Sequence, residues 1–244
     1  MYVPAHFAAT PEQIHELLTR PAAADLITPT ADGLVATFLP LLFDPSAGPQ
    51  GALLGHLARN NPHWQSPPTG ESLVILRGPD SYVSPSWYAS KAEHGRVVPT
   101  WNYLTAHVYG DLVIHDDVAW LETLVNRLTD QHEAGRTPAW AVDDAPPKFV
   151  AGQLRAIVGV ELRITRIEAK AKLSQNRPEA DREGVVAGLL AVGDEAGAEA
   201  VRRAAPRSSA ASAFGSLQQI GHVGRAGFSE EIQASLGTGG QREW

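Results

Sequence analysis

Cysteine is absent from the 244-residue chain, which removes disulfide frameworks, thiolate metal sites, iron–sulfur clusters and cysteine nucleophiles together. A chain without disulfides fits a reducing compartment, so the cytoplasm is the expected location. Long hydrophobic runs are lacking as well. No stretch approaches the roughly 20 apolar residues that span a bilayer, and residues 1–20 show no cationic start followed by an apolar run. Neither membrane insertion nor export is expected. An excess of basic residues is also missing: Lys and Arg number 20 against 27 Asp and Glu, a formal net charge of -7. A protein whose whole body rests on nucleic acid is basic, so DNA contact here requires a local patch.

Several chemical signatures are missing too. There is no Gly-x-Ser-x-Gly elbow, no Gly-rich dinucleotide fingerprint after a strand, and no carboxylate pair with a clear acid/base logic, so no catalytic residue is assigned. Of the nine histidines, neither His15-Glu16 nor His132-Glu133 continues into His-Glu-x-x-His. His115-Asp116-Asp117 sits where a strand exits and a helix needs an acidic cap, and no metal site is expected.

What is present is enough apolar material, 43% of residues, to bury a substantial core. Thr10, Pro11 and Gln13 form a helix start with a capping box, followed by Ile14, Leu17 and Leu18 on one face. Residues 24–28, an Asp32-Gly33 turn and the apolar run 34–43 read as a hairpin. Short β-like runs follow at 51–57, 72–77 and 101–109, the last joined by Gly110-Asp111 to Leu112, Val113 and Ile114. Many short strands with turn chemistry between them indicate a barrel or a sandwich, which spacing alone does not separate. Asp116 or Asp117 opens a helix carrying Val118, Leu121, Leu124, Val125 and Leu128. A second helix is predicted over 146–158, with Phe149, Val150, Leu154 and Ile157 inward and Gly159 as its stop. A strand with Val160, Leu162 and Ile164 alternating against polar residues comes next, then a helix from Pro178 towards Leu190. From about residue 204 the composition shifts to Ala, Ser and Gly, which predicts a partly mobile tail, whose apolar residues leave room for a short helix from Ser229 that docks on a partner.

Three segments carry candidate chemistry. GHLARNNPHW, residues 55–64, sets His56, Arg59, Asn60 and Asn61 at a strand exit, where a cation and donors suit an anion; taken alone, an ordinary solvated exit is the better reading. SPSWYASKAEHGRVVPTWNY, residues 84–103, gathers Trp87, Tyr88, Trp101 and Tyr103 beside Lys91, Arg96, Thr100 and Asn102. Aromatic faces among a few polar groups suit a planar heteroaromatic ligand, and equally a core or a dimer interface. KAKLSQNR, residues 170–177, concentrates donors before a proline-initiated helix, which suits an anion or a helix cap.

In this order and at these separations, the opening MYVPAHF, LPLLFD, GHLARNNP, SPSWYASKAEHGRVVPTWNY, AIVGVE and KLSQNR resemble the PaiB-like family of FMN-binding negative transcriptional regulators, over roughly residues 1–204. The resemblance implies an α+β, mainly β fold: an FMN-binding, pyridoxamine-phosphate-oxidase-like split β-barrel over residues 1–204 with peripheral helices, and a flexible C-terminal tail over 205–244. It implies a homodimer with FMN at the interface. Carried onto this chain, it implies that Arg59, Lys91 and Lys172 balance the phosphate while Thr100 and Ser174 donate to it. Trp101, Asn102 and Gln175 then contact the ring or the ribityl chain, with His56, Asn60 and Tyr88 completing the cofactor set. One departure stands out. The family carries an aromatic residue where this chain has Ala171, and if that ring covers the flavin, the site here is weakened. Direct DNA contact has only Arg163, Arg166, Lys170, Lys172 and Arg177 to draw on. An FMN-dependent oxidoreductase acting on a small molecule and a non-catalytic flavin sensor are the alternative activities.

Overall fold

A computed structural model describes residues 1–204; the expected tail and its helix from Ser229 lie outside the described residues. Thr10 caps α1 (Pro11–Thr19), its side chain accepting from Gln13 N at 3.3 Å while Gln13 returns the bond to Thr10 N at 2.9 Å. The hairpin forms as expected, β1 (Ala22–Thr30) against β2 (Gly33–Asp44) with Thr30 opposite Gly33. The remaining strands are β3 (Ala52–Ala58), β4 (Ser72–Val83), β5 (Thr100–His115) and β6 (Ile157–Lys172). All neighbours are antiparallel, and the sheet closes in the order β1-β2-β3-β6-β5-β4. The choice between barrel and sandwich is thereby decided in favour of the barrel.

Strand alternation then divides the side chains. Leu26, Leu39, Leu53, Val74, Val108, Val160 and Leu162 point inward and form the core, with Leu17 and Leu18 of α1 packed against it. Outside, α3 (Val118–Glu133) lies on the β2–β3 side, where Leu124 and Leu128 meet Leu42, Ala52 and Leu54. The α3 N-cap is Asp117, which accepts from Trp120 N at 2.8 Å.

Three expectations need correction. Gly110-Asp111 does not join two strands: Gly110 lies within β5, at a register shift against β6. A β-carbon there would come within 2.2 Å of the Arg163 carbonyl oxygen, so the glycine allows a bulge in a continuous sixteen-residue strand rather than a chain reversal. The helix predicted over 146–158 stops early. Observed α4 is Pro147–Leu154, Ile157 and Val158 already belong to β6, and Phe149 is exposed; pairing of 157–163 with β3 outweighs the local helical spacing. Finally, β6 runs on to Lys172, so that Lys170 and Lys172 are strand residues rather than loop residues. Beyond it, α5 (Glu179–Ala191) was expected, and α6 (Glu195–Arg203) was not.

The attachment of α3 gives a pH prediction. Hydrogen bonds from Ser46 and Arg127 (2.7 Å) hold Asp44 at about 2, below its ordinary 3.8. A carboxylate with a depressed native pKa stabilises the fold above the ordinary value, and that contribution disappears as pH falls through the native one. Asp44→Asn should therefore lower the melting temperature at neutral pH, with the gap to the parent narrowing below pH 3.8 and closing near about 2. Thermal melts across that range read it directly.

Candidate functional site

The long β5–β6 ribbon has two ends, and the residues singled out in the sequence fall at both. Tyr103 pairs with Lys172 at one end and His115 with Gly159 at the other. His56 stands opposite Gly159, and Arg59 follows the end of β3, so both belong to the His115 end. There Arg59 donates to the Arg155 carbonyl at 2.7 Å and the Ile157 carbonyl at 3.0 Å, and forms an ion pair with Asp116. The guanidinium is consumed in tying the β3 exit to the strands beside it. His56 has a buried Nδ1 without a partner, and burial lowers its pKa, which favours the neutral ring. Asn60 lies in the exposed turn after β3. Within one chain, then, Arg59 does not join Lys172: Ile157 begins β6 and Lys172 ends it. The His115-Asp116-Asp117 run is likewise committed, His115 to Glu161 at 2.6 Å, Asp116 to Arg59, and Asp117 to the helix cap.

The other end collects Tyr88, Lys91, Thr100, Trp101, Asn102, Lys172, Ser174 and Gln175. The segment carrying Tyr88 and Lys91 is brought in by glycine. Trp87 lies flat on α5, where a β-carbon at Gly188 would come within 2.2 Å of its ring and one at Gly184 within 1.9 Å of its carbonyl oxygen. Asp181 of α5 then accepts from Ser90 N at 2.9 Å and from Ser90 Oγ at 2.8 Å, which anchors the following short helix, α2 (Ser90–His94). At the β6 exit Ser174 takes φ +62°. Its hydroxyl and the Asn102 amide bond each other at 3.0 and 3.1 Å, both buried. Gln175 accepts from Leu173 N at 2.7 Å and donates to the carbonyls of His6 and Ala171. Asn102, Ser174 and Gln175 thus spend their side-chain hydrogen bonds on holding the turn and the N-terminal segment.

Alternation puts the cations outside. Lys170 and Lys172 share the outer face of β6 and Arg177 follows the turn, a half-buried neighbour. Lys172 Nζ donates to Thr100 Oγ1 at 2.5 Å. Lys170 Nζ lies 5.6, 5.9 and 5.7 Å from the ring centroids of Tyr2, Phe7 and Tyr103, and the Arg177 guanidinium 4.8 Å from that of Tyr88. Among the described residues, none of these three cations forms an ion pair with a carboxylate. Burial, then the like charges of Lys170 and Arg177, push the Lys172 pKa down. Lys91 is exposed, with Nζ 3.3 Å from Ser86 Oγ. Uncompensated positive charge beside a hydroxyl suits a phosphate monoester, which carries close to two negative charges near neutral pH.

Next to the cations, a cavity of about 340 Å³ opens on the outer face of β4 and β5, lined by Arg77, Asp80, Trp101, Tyr103 and His107 among others. It sits where the β4–β5 register shifts between Arg77 and Asp80. Trp101 is 49% exposed and donates from Nε1 to Asp80 at 3.0 Å. The sequence placed Lys170 and Arg177 in an anion-suited segment but not in the cofactor set, and His107 was not singled out. The period-two spacing of Trp101, Tyr103 and His107, and of Lys170 and Lys172, is the signal that finds them once β5 and β6 are taken as long strands. Ala171 is buried against the barrel core, so position 171 points away from the cavity, and its small side chain uncovers nothing on the outer face.

A family model described as "Putative FMN-binding domain" matches residues 1–166. The chain is 33% identical over 188 residues to protease synthase and sporulation protein PAI 2 of Bacillus subtilis, covering 76% of this chain and 87% of that protein. It is 33% identical over 174 residues to an uncharacterized protein of Emericella nidulans, covering 60% of this chain and 69% of that protein. Among solved structures, the flavocytochrome Anf3 of Azotobacter vinelandii superposes with a TM-score of 0.51 at 12% identity, over 70% of this chain and 72% of that one. That likeness concerns the fold.

The two ends of the ribbon make opposite predictions. Lys172→Met should abolish or strongly weaken FMN binding in a fluorescence titration while leaving the melting temperature close to that of the parent. Arg59→Met should do the reverse, lowering the melting temperature through loss of its carbonyl and Asp116 contacts.

Proposed function

Because this chain belongs to the PaiB-like FMN-binding family, we propose that it works in the cytoplasm as an FMN-binding homodimer that acts as a negative regulator of transcription. The observation that carries the flavin site is the group of uncompensated cations, Lys170, Lys172 and Arg177, beside an open cavity walled by Trp101 and Tyr103. These residues fit the cofactor: the cations take the phosphate and the aromatic wall takes the planar ring. When bound, the flavin supplies redox chemistry, and the protein orients it and controls access to it.

The homodimer is supported by the outer sheet face. Leu34 and Phe38 of β2 are 76% and 69% exposed. Register sets Leu34 opposite Pro29, carries Ala36 across Ile27 and Leu73 to Tyr109, and carries Phe38 across Asp25 and Ile75 to His107. A mainly apolar face of this kind, with Asp25 set in it, suits an interaction surface. It is continuous with the face that bears the cavity and the cations, so a partner seated on it flanks the flavin.

The route to transcription is indirect. The β6 arginines offered by the sequence for DNA are charge-compensated, Arg163 by Glu161 at 3.1 Å and Arg166 by Glu71 at 3.3 Å and Glu168 at 2.8 Å. The remaining cations of that run serve the phosphate. Regulation through the bound flavin and a protein partner agrees with this better than docking of β6 on a phosphate backbone, which requires free Lys and Arg. A second reading, an FMN-dependent oxidoreductase, is favoured by the cavity, because its opening beside the cations leaves room for a small molecule next to the ring.

Phe38→Glu places a charge in the apolar face and should convert a dimer into a monomer by light scattering, with weakened FMN binding. A parent protein that is monomeric with FMN bound contradicts the homodimer. To separate regulator from oxidoreductase, target transcripts are compared in cells carrying the parent or Lys172→Met: altered transcript levels with no flavin-dependent NAD(P)H oxidation support regulation, and rapid turnover with unchanged transcripts supports the enzyme.

A further inference from the structure

Cations in folded proteins are commonly positioned by carboxylates, which also neutralise them. At this site the holders are uncharged. A π face attracts a cation electrostatically and leaves its full charge available to a ligand, and the geometry is most developed at Arg177, whose guanidinium stands over the ring of Tyr88. Tyr88 itself is 3% exposed and packs with Val83, Val185 and Leu189, so its ring is fixed by the core. Its hydroxyl is buried and forms no hydrogen bond of full geometry, with the Arg177 guanidinium beside it.

Resting on the flavin-site reading above, we propose that Arg177, held in place by the face of Tyr88, is a phosphate-binding residue of this chain, acting with Lys170 and Lys172, and that Tyr88 is its positioning residue. The family resemblance assigned the cationic role to Arg59, Lys91 and Lys172 and put Tyr88 in the cofactor set. Arg59 instead belongs to the far end of the ribbon, paired with Asp116. Arg177 has what that assignment required: no carboxylate partner, a half-buried position, and like-charged neighbours on the adjacent strand face. Its planar fork gives two parallel hydrogen bonds to a phosphate, which a lysine does not. The ring of Tyr88 limits the rotamers of that fork before the ligand arrives, and so reduces the ordering cost of binding.

The test is a titration of the full chain with FMN and with riboflavin, which shares the ring and lacks the phosphate, read by flavin fluorescence. Arg177→Gln should weaken FMN binding about ten- to a hundredfold, as expected for loss of charged hydrogen bonds, and leave riboflavin binding unchanged. Tyr88→Phe keeps the ring and should keep the parent's preference for FMN over riboflavin; Tyr88→Leu should shrink that preference. A purely structural role for Tyr88 would weaken both flavins alike. An Arg177→Gln variant that retains the parent's preference for FMN overturns the proposal. If the parent binds neither flavin, the flavin reading falls by itself, and the cation site is then decided by inorganic phosphate. Broadening of its phosphorus resonance by the parent but not by Arg177→Gln upholds the site, and no broadening by the parent overturns it.

Discussion

The pairing of β5 with β6 is the constraint on which the other features rest. Each strand is sixteen residues long, and their ladder closes the barrel between β3 and β4. A long antiparallel ladder fixes the facing of every residue along it, here apart from the shift at Gly110. Leu104, Ala106, Val108 and Ala171 are thereby committed to the core, while Tyr103, His107, Lys170 and Lys172 are turned outward. A slip by one residue would bury two lysines and expose the core. The same ladder separates the two groups of motif residues by its full length, which is why Arg59 serves the fold and Lys172 is left for a ligand.

Local signals in the sequence were sufficient for several elements. The capping box at Thr10 and Gln13, the Asp32-Gly33 turn and the Asp117 cap each depend on side-chain to backbone chemistry within a few residues, and such chemistry is legible without tertiary contacts. Strand ends were less so. Lys170-Ala171-Lys172 has no β-branched residue to announce a strand, yet pairing with Tyr103 to Thr105 carries β6 through it. Ile157 and Val158 look helical by spacing and are drawn into β6 by its partner β3. α6 escaped notice because its apolar content is chiefly alanine, and its burial depends on packing with α5.

The candidate site was legible as a set of residue types and not as a place. Aromatic residues, cations and hydroxyls were found in the right motifs, but a linear sequence does not say which strand end each motif occupies. Asn102, Ser174 and Gln175 illustrate the difference: polar and clustered, they are spent on the turn after β6. Lys170 and Arg177 are only two of several cations in their run of sequence, and they matter because no carboxylate among the described residues pairs with them and aromatic faces hold them. Electrostatic vacancy of this kind is a property of the folded surface. It sets an anion site beside an exposed, mainly apolar sheet face, which are the two surfaces that the proposed flavin-binding homodimer requires.

A crystal structure of the FMN complex tests the central claim most directly. The account predicts phosphate oxygens within hydrogen-bond distance of Lys172 Nζ and the Arg177 guanidinium, with the ring on the outer face of β4 and β5 against Trp101 or Tyr103. Phosphate held at Arg59 of the same chain, or a ring lodged inside the barrel, would contradict it.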